Sequence, residues 1–210
     1  MGEELSIVMI IRIPAILIAL TVHELSHGYI ARLLGDSTAE REGRLTLNPL
    51  AHLDPFGALM LFFGPFGWAK PVPVNPIYFK DPIMGMAIVA AAGPLSNIVL
   101  AAFTGLLFRF GFVNPGSMFT AFLYILFMIN IGLAIFNLLP VYPLDGSRIV
   151  MAFLKSNQRA GFMKAMTVVP KIFLGLIVAE WIFNIPLLSF ILNPIFIPAL
   201  NIAKKVFMGV

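Results

Sequence analysis

The chain has 210 residues, of which 60% are hydrophobic and only 11% charged. A soluble domain of that length carries about a quarter charged residues, so this composition excludes an ordinary soluble protein and indicates one compact unit in a bilayer. The net charge of +4 is spread singly at the ends of apolar runs rather than in a patch, which argues against nucleic acid. With no cysteine in the chain, disulfides and thiolate metal sites are excluded as well.

The first apolar run, residues 5–34, is long enough to cross a membrane as a helix. It opens without a basic segment and carries His and Glu, so it is not expected to be a signal peptide. Its last third reads Thr21-Val22-His23-Glu24-Leu25-Ser26-His27-Gly28. Helical residues four apart share a face, so His23 and His27 point the same way and can chelate a divalent ion, usually zinc. Glu24, one step round the helix, can take a proton from a water on that ion without ligating it. In a soluble protein this spacing often arises by chance. Inside a bilayer each ionisable group costs roughly 2.5–3.5 kcal/mol on insertion scales, which favours a functional reading.

Residues 44–80 do not read as a span. Residues 44–48 alternate like a short strand, 56–63 are apolar but too short to cross, and 68–76 are extended and rich in proline. The stretch is expected to form a small membrane-associated β-hairpin or sheet around a re-entrant loop facing protein or water. Residues 82–108 form a second span interrupted by Gly93-Pro94-Leu95-Ser96-Asn97, and 118–139 a third with Asn130 and Asn137. A short helix over 147–154 follows, then apolar runs over 168–183 and 186–203. The expected fold is therefore a polytopic α-helical membrane bundle of about five to six transmembrane helices. It is one domain over 1–210, with a core over about 5–155 and additional apolar segments over about 167–205.

The connections 35–81 and 140–166 hold Arg41, Arg44, Lys70, Lys80, Arg148, Lys155, Arg159 and Lys164, whereas the connection after the second span holds Arg109. Counting Lys204 and Lys205 with the first group, the positive-inside rule puts the N-terminus outside and the ligand-bearing end of the first span towards the cytoplasm.

A catalytic zinc normally has three protein ligands. Asp145, in Pro143-Leu144-Asp145-Gly146 at the cytoplasmic end of the third span, lies at the right depth, but Asp-Gly is also an ordinary turn pair. Residues alone leave the two readings even. Together, His23-Glu24-Leu25-Ser26-His27, Gly93-Pro94-Leu95-Ser96-Asn97 and the run from Asn137 through Pro140, Tyr142 and Pro143 to Asp145-Gly146 resemble the site-2 protease family. These are zinc metalloproteases that cut transmembrane substrates within the bilayer. The resemblance covers about residues 5–155, in a minimal form without the PDZ or CBS domains of some members.

The resemblance implies one catalytic Zn²⁺ per chain on His23, His27 and Asp145, with Glu24 as general base. It also implies an extended segment near residues 66–76 that belongs to a membrane-associated sheet. Asn137 and Asn97 are candidate oxyanion donors, with helix–helix hydrogen bonding as the plain alternative. His52 either assists as an electrophile or, more simply, fixes its own turn. The expected partners are transmembrane-helix substrates and the lipid bilayer, with control left to another chain, a separate regulatory membrane protein, or to prior trimming of the substrate. The competing function is a metal-ion or proton transporter built on the same His, Asp and Glu cluster.

Overall fold

The computed structural model describes residues 2–57 and 69–210, with side chains from Ile10 onward. Helix α1 runs over Gly2–Leu33, and a short turn of helix, α2, over Thr38–Arg41. The long helices α3 (Pro82–Arg109) and α4 (Met118–Asn137) follow, then the short α5 (Asp145–Phe153). Helices α6 (Ser156–Phe183) and α7 (Leu187–Ala203) complete the chain, α7 ending in a π-turn over Lys204–Met208. Five of these helices are long and apolar enough to cross a membrane: α1 from Ile10, α3, α4, α6, and α7 with its terminal turn. The chain is a multi-pass membrane protein.

Local sequence explains where the helices begin. Asp81 accepts the N–H groups of Ile83 and Met84 at 2.9 and 3.0 Å, with Pro82 in the first turn where no N–H is needed. Ser117 caps α4 by accepting the Thr120 N–H at 3.1 Å. α6 begins at Ser156, well before the expected apolar run at 168, because nothing between them breaks a helix and its Lys and Arg can reach out of the lipid.

Helices α1, α3 and α4 form the core. Small side chains bring α1 and α3 close: Ala15, Ala19 and Ala31 on α1 are buried, as are Ala87, Ala90, Ala92 and Gly93 on α3. Between α3, α4 and the chain's last turns, Phe127 packs with Ala101, Ile131, Ala203 and Met208.

Two expectations need correction. Among the described residues there is no β-strand, only one isolated antiparallel bridge between Leu53 and Ala69. Prolines at 71, 73 and 76 remove the N–H donors a ladder needs. Lys70 N–H reaches His52 C=O at 2.9 Å, and three further groups go to side chains: Val72 N–H to Glu24 Oε2 at 2.8 Å, Asn75 N–H to Asp36 Oδ2 at 2.6 Å, and Lys70 C=O to the Arg44 guanidinium at 2.7 Å. The expected re-entrant loop, with Gly64, Pro65, Phe66, Gly67 and Trp68, lies outside the described residues.

The second correction concerns the chain's end. The Arg109 guanidinium donates to Val206 C=O at 2.7 Å, and Lys204 lies over the Tyr124 ring. The C-terminus thus sits at the 109–118 end of the bundle. Arg109 is about 24 Å along α3 from Gly93 at 1.5 Å per residue. Lys204 and Lys205 therefore do not belong with the basic residues of the 35–81 and 140–166 connections.

Candidate metal centre

Three side chains from two elements converge. His23 and His27 occupy successive turns of α1, and Asp145 opens α5. The two Nε2 atoms are 3.0 Å apart, and Asp145 Oδ2 lies 3.2 Å from that of His23 and 3.3 Å from that of His27. The rings are nearly perpendicular, so both nitrogens face one point.

What lies behind the imidazoles fixes their protonation. His23 Nδ1 is 2.6 Å from Asn97 Oδ1, and His27 Nδ1 is 2.7 Å from Val89 C=O. Both partners are acceptors, so each Nδ1 carries the proton and each Nε2 presents a lone pair. The Asn97 orientation follows from its own contacts, because its Nδ2 donates to Ala19 C=O at 3.1 Å and to Asn130 Oδ1 at 2.7 Å. Asn130 in turn donates to Leu126 C=O at 2.8 Å. Asp145 brings a carboxylate oxygen, an acceptor rather than a donor, to the same point.

Two lone pairs and a carboxylate oxygen therefore meet with no donor between them, and Asp145 Oδ2 is buried without a hydrogen-bond partner. Such a set requires a cation. Tetrahedral zinc with ligands at about 2.0–2.2 Å needs donor atoms roughly 3.3 Å apart, and this triangle of 3.0, 3.2 and 3.3 Å fits it. Gly93 keeps the space open. A Cβ there would stand 2.5 Å from atoms of both rings, so no larger residue fits opposite the pair. Gly146 is equally constrained, since a Cβ on it would run into the carbonyls of Leu138 and Leu139, which the turn brings against α5.

A cavity of about 200 Å³ opens at the triad, lined among others by Glu24, Val72, Asn137 and Arg148. Asn137 donates one amide N–H to Leu133 C=O at 3.0 Å and sits on the cavity wall. Asn97 does not. It is fully buried behind His23 with its oxygen and both N–H groups engaged, so it has no donor left for an oxyanion. His52 also lies away from the triad, in its own turn, with Nε2 against Thr46 C=O at 2.9 Å. Sequence reasoning missed Gly93 as a spacer, Asn130 as the anchor of Asn97, and the backbone groups of Val89 and Val72. Asn130 had a signal, an amide in an apolar span, and Gly93 opened one of the motifs that carry the resemblance; the backbone groups had none.

Fold and site together define a class: a polytopic membrane protein with a buried His₂Asp cation site and a glutamate beside it. The profile of Peptidase family M50 matches residues 11–179. The chain is 38% identical over 203 residues to the Bacillus subtilis protein named "Putative zinc metalloprotease YwhC", covering 93% of this chain and 90% of that one. A Mycolicibacterium smegmatis protein named "Putative zinc metalloprotease Rip2" is 32% identical over 148 residues, 66% of this chain and 55% of that one. The Methanocaldococcus jannaschii zinc metalloprotease MJ0392 is 25% identical over 175 residues, 83% of this chain and 43% of its own length. No solved structure matches significantly. The chain belongs to peptidase family M50 and is a zinc metalloprotease.

Proposed function

We propose that the protein hydrolyses peptide bonds of transmembrane substrates within the bilayer, near its cytoplasmic face. Zinc would be held by His23, His27 and Asp145, with Glu24 as general base. The observation that carries this reading is the convergence of the three donor atoms beside Glu24 on helices of membrane composition. When bound, zinc supplies Lewis acidity towards water and towards the scissile carbonyl.

The chain's own groups do the rest. Glu24 Oε2 accepts the Val72 N–H, which fixes the carboxylate and leaves Oε1 to take the proton of the attacking water and return it to the leaving amine. Asn137, with one N–H uncommitted, is the side chain on this wall to donate to the carbonyl oxygen as it gains charge. A helical substrate hides its peptide bonds in i→i−4 hydrogen bonds, so it must unwind before attack. Pro71, Val72 and Val74 line the cavity and offer an extended segment against which an unwound peptide can lie.

The cytoplasmic assignment is supported by the basic residues at the metal end. Arg41, Arg44, Lys70, Lys80, Arg148, Lys155, Arg159 and Lys164 outnumber Arg109, Lys204 and Lys205 at the other, even after the C-terminal correction. His27 and His23 lie six and ten residues before the end of α1, about 9 and 15 Å along its axis, so the reaction would sit below the lipid surface.

The test is cleavage of a model transmembrane substrate by purified protein, wild type against Glu24→Gln, with zinc measured in both. Equal zinc is expected, with cleavage reduced by about 10²–10⁴-fold in the variant. Undiminished cleavage would remove Glu24 from the mechanism.

A further inference from the structure

Beside the metal cavity lies a larger one of about 470 Å³, between the first turns of α3, helix α5 and the third turn of α6. Met86 and Arg148 line both, so one partition of two side chains separates them. Arg148 Nη1 lies 3.8 Å from Met86 Sδ, and among the described residues no carboxylate pairs with this guanidinium. Beyond the partition three thioethers, Met151 on α5 and Met163 and Met166 on α6, share an apolar wall with Pro76, Pro82, Ile83 and Tyr142. Unbranched thioether side chains reshape around different apolar occupants, which is why methionine recurs at adaptable binding surfaces. A cavity of about 150 Å³ takes one benzene, so this one has room for roughly two or three groups of that size.

Its distance from the triad matches an extended peptide. Met151 lies six residues after Asp145 on α5, about 9 Å along the axis. An extended chain advances about 3.3 Å per residue. A side chain entering here therefore belongs to the residue two or three positions from the bond held at the triad.

We propose that the methionine-lined cavity is a specificity pocket: it takes a large apolar substrate side chain two or three positions from the scissile bond, across the Met86–Arg148 partition. This rests on the proteolytic reading above. The shared partition favours a peptide over a lipid chain, since a single extended strand reaches both cavities while a lipid would have no reason to approach the triad.

The experiment uses the full chain in phosphatidylcholine vesicles and a transmembrane substrate carrying Ala, Leu or Phe at each of the three positions on either side of the cut. Met151→Trp fills the pocket and Met163→Ala enlarges it, with zinc content followed in both. At one position, the kcat/KM ratio of Phe to Ala substrates should fall at least about tenfold in Met151→Trp and hold or rise in Met163→Ala. An unchanged ratio at every position would overturn the pocket. So would a common loss across all substrates, which is what a lipid occupant or a damaged fold produces. A wild type that cleaves no member of the panel would defeat the proteolytic reading itself, and the pocket with it.

Discussion

At the scale of single residues, the site depends on groups that never touch substrate. His23 presents its lone pair only because Asn97 holds Nδ1, and Asn97 is itself oriented by Asn130. Removing such a partner behind a metal ligand typically costs 10–100-fold in affinity. Asn97→Leu should therefore weaken zinc binding by about that factor, and Asn130→Leu by less, since Ala19 C=O still holds the Asn97 amide. Competition against a chelator of known affinity reads both without recourse to activity. Gly93→Ala acts differently, driving a methyl group into both imidazoles. It should lose metal with little change in helix content, so circular dichroism and zinc analysis should part company.

Among the elements, the extended segment over 71–75 is held by carboxylates where a strand partner was expected. Asp36 is buried and takes the Asn75 N–H on one oxygen and the Thr38 N–H and hydroxyl on the other. Burial pushes its carboxyl up, but those three hydrogen bonds outweigh burial and hold it below the usual carboxylate range. A carboxylate with a lowered folded pKa stabilises the fold fully above its unfolded value near 4, and that contribution fades as pH falls through the lowered folded value. Asp36→Asn should cost roughly 1–3 kcal/mol at neutral pH through the buried donor it leaves poorly paired, and should flatten the acid limb of stability. Thermal unfolding from pH 7 down to pH 3 measures both, and faster amide exchange at Asn75 would place the loss. Helix α6 presents the opposite case. None of its residues is buried, and its contacts are few: Met166 against the Tyr142 N–H, Phe173 against Phe136, and Glu180 accepting the Leu188 N–H at 2.7 Å.

At the scale of the whole molecule, the contact between Arg109 and Val206 decides how the ends are arranged. The C-terminus shares an end with the 109–118 connection, away from α2 and α5, so between Lys155 and Val210 the chain crosses once, through one of α6 and α7 rather than both. The natural chain has no cysteine, so topology can be read with single introduced thiols. Gly111→Cys and Val210→Cys should react with an impermeant maleimide from one side of oriented vesicles, and Ser37→Cys and Lys155→Cys from the other. Labelling of Val210→Cys together with Lys155→Cys would contradict this arrangement.

How much was legible follows from what each feature depends on. The spans, the His23–His27 pair and the neighbouring Glu24 were readable because helical periodicity and membrane insertion are local properties of the chain. Asp145 as third ligand was not, since an Asp-Gly pair is a turn in most settings; the resemblance pointed to it, and the packing of α5 against α1 and α3 brings it within 3.3 Å of both imidazoles. The strand over 44–48 and 68–76 failed because alternation says nothing about which partner a backbone N–H will find, and here Glu24 and Asp36 took them. Sequence by itself determined a membrane helix able to grip an ion. Tertiary structure decided how the carboxylate that the resemblance singled out reaches both imidazoles, which amides hold those rings, and at which end the chain finishes, because those depend on distances between residues far apart along the chain.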